Sequence, residues 1–188
     1  MPLRPDQLAA NAEVVETLGW VSDFEPEIDP DEPLYFTVDG VDQMERVGRD
    51  GAGGEFVLLK PSGRVLYVSS EGQAGTIAAD LDEFVALMIA CPYWRDILKY
   101  SADGDLNEMR RAAAALEASY DDDDDLDEAR AFLKAHFKLR DPDDPVGALH
   151  NAVSASGVVV RMPDGAACIS LFSRFTIDDA PFSSDLAD

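Results

Sequence analysis

Basic side chains are scarce in this sequence: 15 lysines and arginines stand against 38 aspartates and glutamates, a formal net charge of -23 over 188 residues. Affinity for a phosphate backbone comes chiefly from lysine and arginine displacing counterions, so nucleic acid is not an expected partner. The same deficit argues against docking on an anionic membrane. Cysteine is nearly missing too, with Cys91 and Cys168 each in an apolar context and neither in a C-x-x-C pair. No disulfide framework, redox pair or zinc site is expected, and both read as core thiols in a reducing compartment. The two histidines, His136 and His150, stand outside any H-x-x-x-H or H-E-x-x-H pattern. His136 is expected to pack with Phe132 and Phe137, and His150 to cap or pack a short helix. No apolar run approaches the ~20 residues of a membrane span, and the opening "MPLRPDQLAANAEVVETLGW" has no basic region followed by an apolar one. A cytoplasmic location is the expectation.

Phosphate-binding glycine motifs are incomplete. In "GRDGAGGEFVLL" Gly51 and Gly53 begin like a dinucleotide fingerprint, but Phe56 occupies the place of the third glycine and a strand follows where a helix is needed. No G-K-[ST] occurs, which excludes a P-loop, and no helix start lies immediately downstream to hold an anion. Gly51, Gly53, Gly54 and Gly63 are therefore assigned to backbone turns. A calcium loop fails as well: Asp103, Asp105 and Asn107 alternate correctly, yet Glu108 and Ala114 stand where glycine and a bidentate glutamate belong. Asp105 is expected instead to cap a helix. Ser69, Ser70 and Glu71 have no G-x-S-x-G context and no identifiable base. No catalytic residue, metal ligand or cofactor is assigned.

What is present is an alternation of helical and strand patterns. Leu8, Ala12, Val15 and Leu18 recur at helical spacing, with Asp6 to cap that helix and Gly19 to end it. "LYFTVDG" reads as a strand. "GEFVLLK" and "RVLYVSS", joined through Pro61, Ser62 and Gly63, predict an antiparallel hairpin, and "GVVVRM" and "AACISLF" around Pro163, Asp164 and Gly165 predict a second. Between them lie four helical segments. One carries Asp80 and Glu83 at its start and a buried face of Leu81, Phe84, Val85 and Met88. The next, "PYWRDILKY", is expected to bury Trp94 against the sheet. The third, "LNEMRRAAAALEAS", leaves Arg110 and Arg111 exposed, and the fourth starts after the aspartate run, with Asp125 and Glu128 in capping positions. The closing residues, 176–188, have the composition of a flexible tail. The fold class expected is α+β: a mixed, mostly antiparallel sheet of about five to six strands packed by helices, with a helical extension and a C-terminal hairpin. One domain covers residues 1–175, with its core at 39–98, the extension at 105–150 and the hairpin at 157–173.

The densest charge is the run Asp121, Asp122, Asp123, Asp124, Asp125. Successive carboxylates in an extended segment diverge, so the run makes a poor metal cage and an ordinary solvated loop. Its sharper reading is a docking surface for lysine and arginine on a partner, built from Asp121, Asp122, Asp123 and Asp124 with Asp141, Asp143 and Asp144 reinforcing it. A field of this sign speeds encounter with a basic protein.

"GRDGAGGEFVLL" followed by "GRVLYVSSEGQAGTIAADLDEFVALMI" resembles the SUKH superfamily, which includes the fungal cell-wall synthesis regulator and many bacterial toxin-immunity proteins. The matching features are Asp50, Gly51, Gly53 and Gly54, then Gly63 and Val65, then Leu81, Glu83 and Phe84, within residues 39–98. Leu106 to Phe172 is additional to the usual pattern. The resemblance implies a single α+β domain with a binding role and no catalytic residues. Together with the charge it leads to an expected immunity protein that occludes a basic toxin domain. The alternatives are a regulatory scaffold for cellular proteins and a carboxylate-dependent metal hydrolase.

Overall fold

The structure is a computed structural model and describes residues 2–26, 32–120 and 124–181. Its backbone follows the order α1 (Pro5–Leu8), α2 (Ala12–Ser22), β1 (Thr37–Val38), β2 (Met44–Arg49), β3 (Glu55–Leu59), β4 (Val65–Val68) and β5 (Ala74–Ala78). It continues through α3 (Leu81–Ala90), α4 (Trp94–Lys99), α5 (Leu106–Ala118), α6 (Asp124–Phe137), α7 (Pro145–Ser154), β6 (Val160–Arg161) and a 3₁₀ turn at Ile177–Asp179. Helices and antiparallel strands make it α+β, as expected. Among the described residues, no helix is long and apolar enough to cross a membrane.

Four strands form an antiparallel meander, β2-β3-β4-β5, and a two-stranded ribbon, β1-β6, forms separately. The sheet has two apolar faces because its central strands, beyond the ion-paired Glu55 at the start of β3, are apolar, so both faces must be covered. Phe56, Leu58, Val65 and Tyr67 point to the helices and join Phe84, Trp94 and Ile97 in the main core. Val57, Leu59, Leu66 and Val68 point the other way and meet Phe36, Val38 and Val160 of the ribbon. The expected β3-β4 hairpin is present, with Gly63 at φ +78° and its N–H donating to the Leu59 carbonyl at 2.8 Å.

The C-terminal hairpin differs from expectation. "GVVVRM" supplies only β6, which pairs with β1, while the return arm makes single bridges, Arg161 to Ala167 and Gln73 to Ile169. The latter is parallel, and it links the ribbon to the edge of the meander at β5. Residues 163–167 at the turn are exposed and only Val158, Val160, Met162 and Cys168 of the two arms join the core around Phe36 and Val38, so pairing stops after a few bonds. β2 and β5 were not foreseen as strands.

The first helix is also divided. Asn11 opens a second helix by accepting from the amides of Glu13 and Val14, and Gly19 lies inside α2, which ends at Asp23 in the left-handed region at φ 53°. The break resets the helical phase, so Leu8, Val14 and Leu18 are buried and Ala12 is exposed. The capping expectations hold at Asp80, which accepts from the Glu83 amide at 2.8 Å, and at Asp105, which accepts from those of Asn107 and Glu108. They fail at Asp6, which lies inside α1 behind Arg4 as N-cap, and at Asp125, which lies inside α6. Residues 176–181 are part of the fold rather than a tail. Ile177 and Ala180 pack on Tyr100 and Ala112, and the Ile177 amide donates to Glu108 at 2.9 Å.

Candidate docking groove

The glycine turn between β2 and β3 is settled by where its amides point. The amides of Ala52 and Gly54 donate to Asp50 Oδ1, at 3.0 and 2.7 Å, and that of Gly51 to Asp23 at 3.1 Å. The donors that an anion would need are thus taken by the protein's own carboxylates. Gly53 sits at φ +85°, and a Cβ on Gly54 would lie 2.6 Å from Asp50 Oδ2 and 2.7 Å from the Tyr67 hydroxyl. Both positions favour glycine for steric reasons.

Asp50 is the hub of a buried network. Its Oδ2 accepts from the Tyr67 hydroxyl at 2.6 Å and from Arg95 Nη1 at 2.8 Å, while Arg95 Nη2 reaches Asp23 at 2.6 Å. Burial, then the adjacent Asp50 carboxylate, pushes the Tyr67 hydroxyl above its ordinary range, so it stays a donor. A hollow of about 220 Å³ opens beside this network, lined among others by Tyr67, Ser69, Gln73, Trp94 and Arg95. Arg95 presents no free cation there because two carboxylates hold its terminal nitrogens, and Ser69 Oγ accepts from the Gln73 amide at 3.0 Å. The turn, the end of α2 and α4 are tied together by this constellation. It is structural.

Of the acidic residues expected to bind a partner, those that the structure describes are dispersed. Asp121, Asp122 and Asp123 lie outside the described residues, and Asp124 opens α6. Asp141, Asp143 and Asp144 follow the other end of that 14-residue helix, about 21 Å away by helical rise. Asp124 and residues 141–144 therefore stand at opposite ends of α6. Asp144 caps α7, accepting from the Gly147 amide at 2.9 Å and pairing with Arg110 at 2.5 Å, and Asp141 pairs with Lys134 at 2.5 Å. Asp143 is exposed.

A different acidic surface is formed where α2 and α6 lie side by side. Glu13, Glu16, Thr17 and Trp20 on α2, and Asp125, Glu128, Ala129 and Phe132 on α6, line a groove of about 530 Å³. On each helix these positions follow the i, i+3, i+4, i+7 spacing of one face. Trp20 is 56% exposed, the most open aromatic ring among the described residues. It also lines a second hollow of about 230 Å³ with Val21, Pro92, Tyr120 and Leu126. Tyr120, which precedes the aspartate run, stacks on Tyr93 with ring centroids 5.9 Å apart.

The groove is charged but uncompensated. Among the described residues no ion pair reaches Glu13, Glu16, Asp125 or Glu128. The cations of α6 are engaged elsewhere: Arg130 with Glu117 at 2.7 Å, and Lys134 with Asp141. Nor do any three histidine, cysteine, aspartate or glutamate side chains among the described residues converge to hold a metal ion, so the groove carboxylates are spread along the helices. Sequence reasoning passed over this face because it sought the buried stripe of each helix. The signal was there as a second stripe, acidic and aromatic, at the same period.

The histidines serve neither site. His136 lies beside both rings expected, Phe132 at 6.4 Å and Phe137 edge-on at 4.9 Å, but is itself exposed. His150 is half-buried, with Nε2 3.0 Å from the Gly104 carbonyl and its ring beside Phe172. No family model, no curated protein and no solved structure matches the chain.

Proposed function

We propose that the chain is a non-enzymatic protein-binding domain of the immunity type, which neutralises a toxin domain by seating a basic face of that domain on the groove between α2 and α6. The observation that carries this reading is the exposed Trp20 framed by four carboxylates that have no cationic partner among the described residues. An aromatic anchor at the centre of an interface supplies binding energy, and surrounding charge selects the partner and speeds encounter. The net charge of -23 extends that attraction well beyond the groove. The resemblance of residues 39–98 to SUKH proteins supports the same direction by analogy.

The test is co-expression with each polypeptide encoded beside the gene that arrests growth on its own, scored by growth, using the wild-type chain and the charge-reversed variant Glu16→Lys/Glu128→Lys. Rescue by the wild type and its loss in the folded variant are the expected results. Equal rescue by both would remove the groove from the mechanism. Stable capture of a cellular protein without any rescue would favour a regulatory scaffold instead.

A further inference from the structure

Resting on that reading of the groove as a partner-docking site, we propose that its occupant is an arginine-bearing segment of the partner. One guanidinium lies on the Trp20 indole while its neighbours pair with Glu13, Glu16, Asp125 and Glu128. Three observations narrow the occupant to this chemistry. The first is charge: an acidic or uncharged apolar segment would have to desolvate carboxylates that no cation among the described residues compensates. A second copy of this chain would bring a net charge of -23 against the same sign.

The second is the placement of the indole. Trp20 stands on the same helical face as Glu13 and Glu16, so a cation drawn to those carboxylates meets the ring. Tryptophan offers the best face for such a contact, and its exposure leaves the ring accessible. The third separates arginine from lysine. A guanidinium is planar and weakly hydrated, so it stacks on an aromatic ring while donating in its own plane to flanking carboxylates. An ammonium is a compact, strongly hydrated point charge that cannot do both equally well.

The test uses the full chain and two capped hexapeptides, hexa-arginine and hexa-lysine, titrated by calorimetry at low and at physiological salt. Wild type is expected to prefer hexa-arginine by about fivefold, the size of one partly exposed stacking contact. Trp20→Leu should bring that ratio close to one while leaving lysine affinity nearly unchanged, and Trp20→Phe should retain part of it. Glu16→Gln/Glu128→Gln should weaken both peptides together and keep the ratio. Equal affinity for the two peptides in the wild type, no binding of either at low salt, or a ratio unmoved by Trp20→Leu would each overturn the proposal. Concentration-dependent self-association abolished by Trp20→Leu would overturn it in favour of a second copy.

The two readings fail separately. A chain that rescues growth without preferring arginine keeps the immunity role and loses this occupant. A chain that selects arginine but rescues nothing keeps the occupant and loses the toxin.

Discussion

Asp50 shows what a single buried carboxylate does in this fold. It is 3% exposed and accepts from two backbone amides, a tyrosine hydroxyl and an arginine. Asp50→Ala would leave the Tyr67 hydroxyl and one side of Arg95 without their acceptor, and should cost about 3 kcal/mol in urea denaturation. Tyr67→Phe removes one donor and keeps the ring packing on Trp94 at 5.0 Å, so about 1 kcal/mol is expected. Trp20 behaves oppositely. Because its ring is open to solvent, Trp20→Leu should change stability by no more than about 0.5 kcal/mol, which makes it a clean probe of binding. The thiols make a further check at this scale. Burial pushes Cys91 up to about 12, so almost no thiolate exists at pH 8. Ellman's reagent should therefore modify the partly exposed Cys168 first, and Cys91 only as the chain unfolds.

Among the elements, α5 and α6 are joined by a charged contact whose pH dependence has a definite sign. Arg130 donates to both oxygens of Glu117, at 2.7 and 2.9 Å, and the Tyr93 hydroxyl donates to the same carboxylate. The Arg130 bonds, aided by Tyr93 and opposed by burial, hold the Glu117 carboxyl below its usual range. A carboxyl depressed in the folded state stabilises it above the unfolded pKa, and that contribution is lost as pH falls through the lower folded value. The melting temperature of the wild type should thus fall below about pH 4, where glutamates protonate. Glu117→Gln should lower it at neutral pH and flatten part of the acid decline. The caps are a second element-scale matter. Asn11 accepts from two amides of α2 and sets the phase that turns Trp20 and Glu16 outward. Asn11→Ala should cost about 1 kcal/mol by thermal unfolding. Capping was readable at Asp80 and Asp105 because an acid directly precedes an apolar period. At Asn11 it was hidden by the alanines before it, which are good helix formers and suggest a continuous helix.

For the molecule as a whole, coverage of both sheet faces is the organising constraint. The β3 and β4 runs were legible as strands, and their lack of polar alternation implies two covered faces. That the second cover is a ribbon made from Thr37–Val38 and Val160–Arg161, distant in sequence, was not legible, because each arm is only two residues long. The same holds for the C-terminal residues. "TIDDAPF" reads as a polar tail, yet Ile177 docks at 4% exposure against Tyr100 and Ala112. Ile177→Ala should cost about 2 kcal/mol, measured by denaturant midpoint, where a true tail would show none. The proposed binding face was legible only in part. The abundance of carboxylates predicts a basic partner, but of the aspartates singled out by density that the structure describes, Asp124 opens α6, while Asp141 and Asp144 follow its far end and are spent on Lys134, Arg110 and the start of α7.

By itself the sequence determined the α+β class, the central hairpin, the helical caps at Asp80 and Asp105, the turn role of the glycines and the sign of the charge. Each of these follows from residues near one another in the chain, through backbone sterics, local hydrogen bonds or simple counting. Tertiary structure alone decided which carboxylates stay unpaired, that α2 and α6 lie together, and that Trp20 stands open between two hollows. Those properties depend on where distant cations and apolar stripes come to rest once the core has closed. Local pattern carries no information about that.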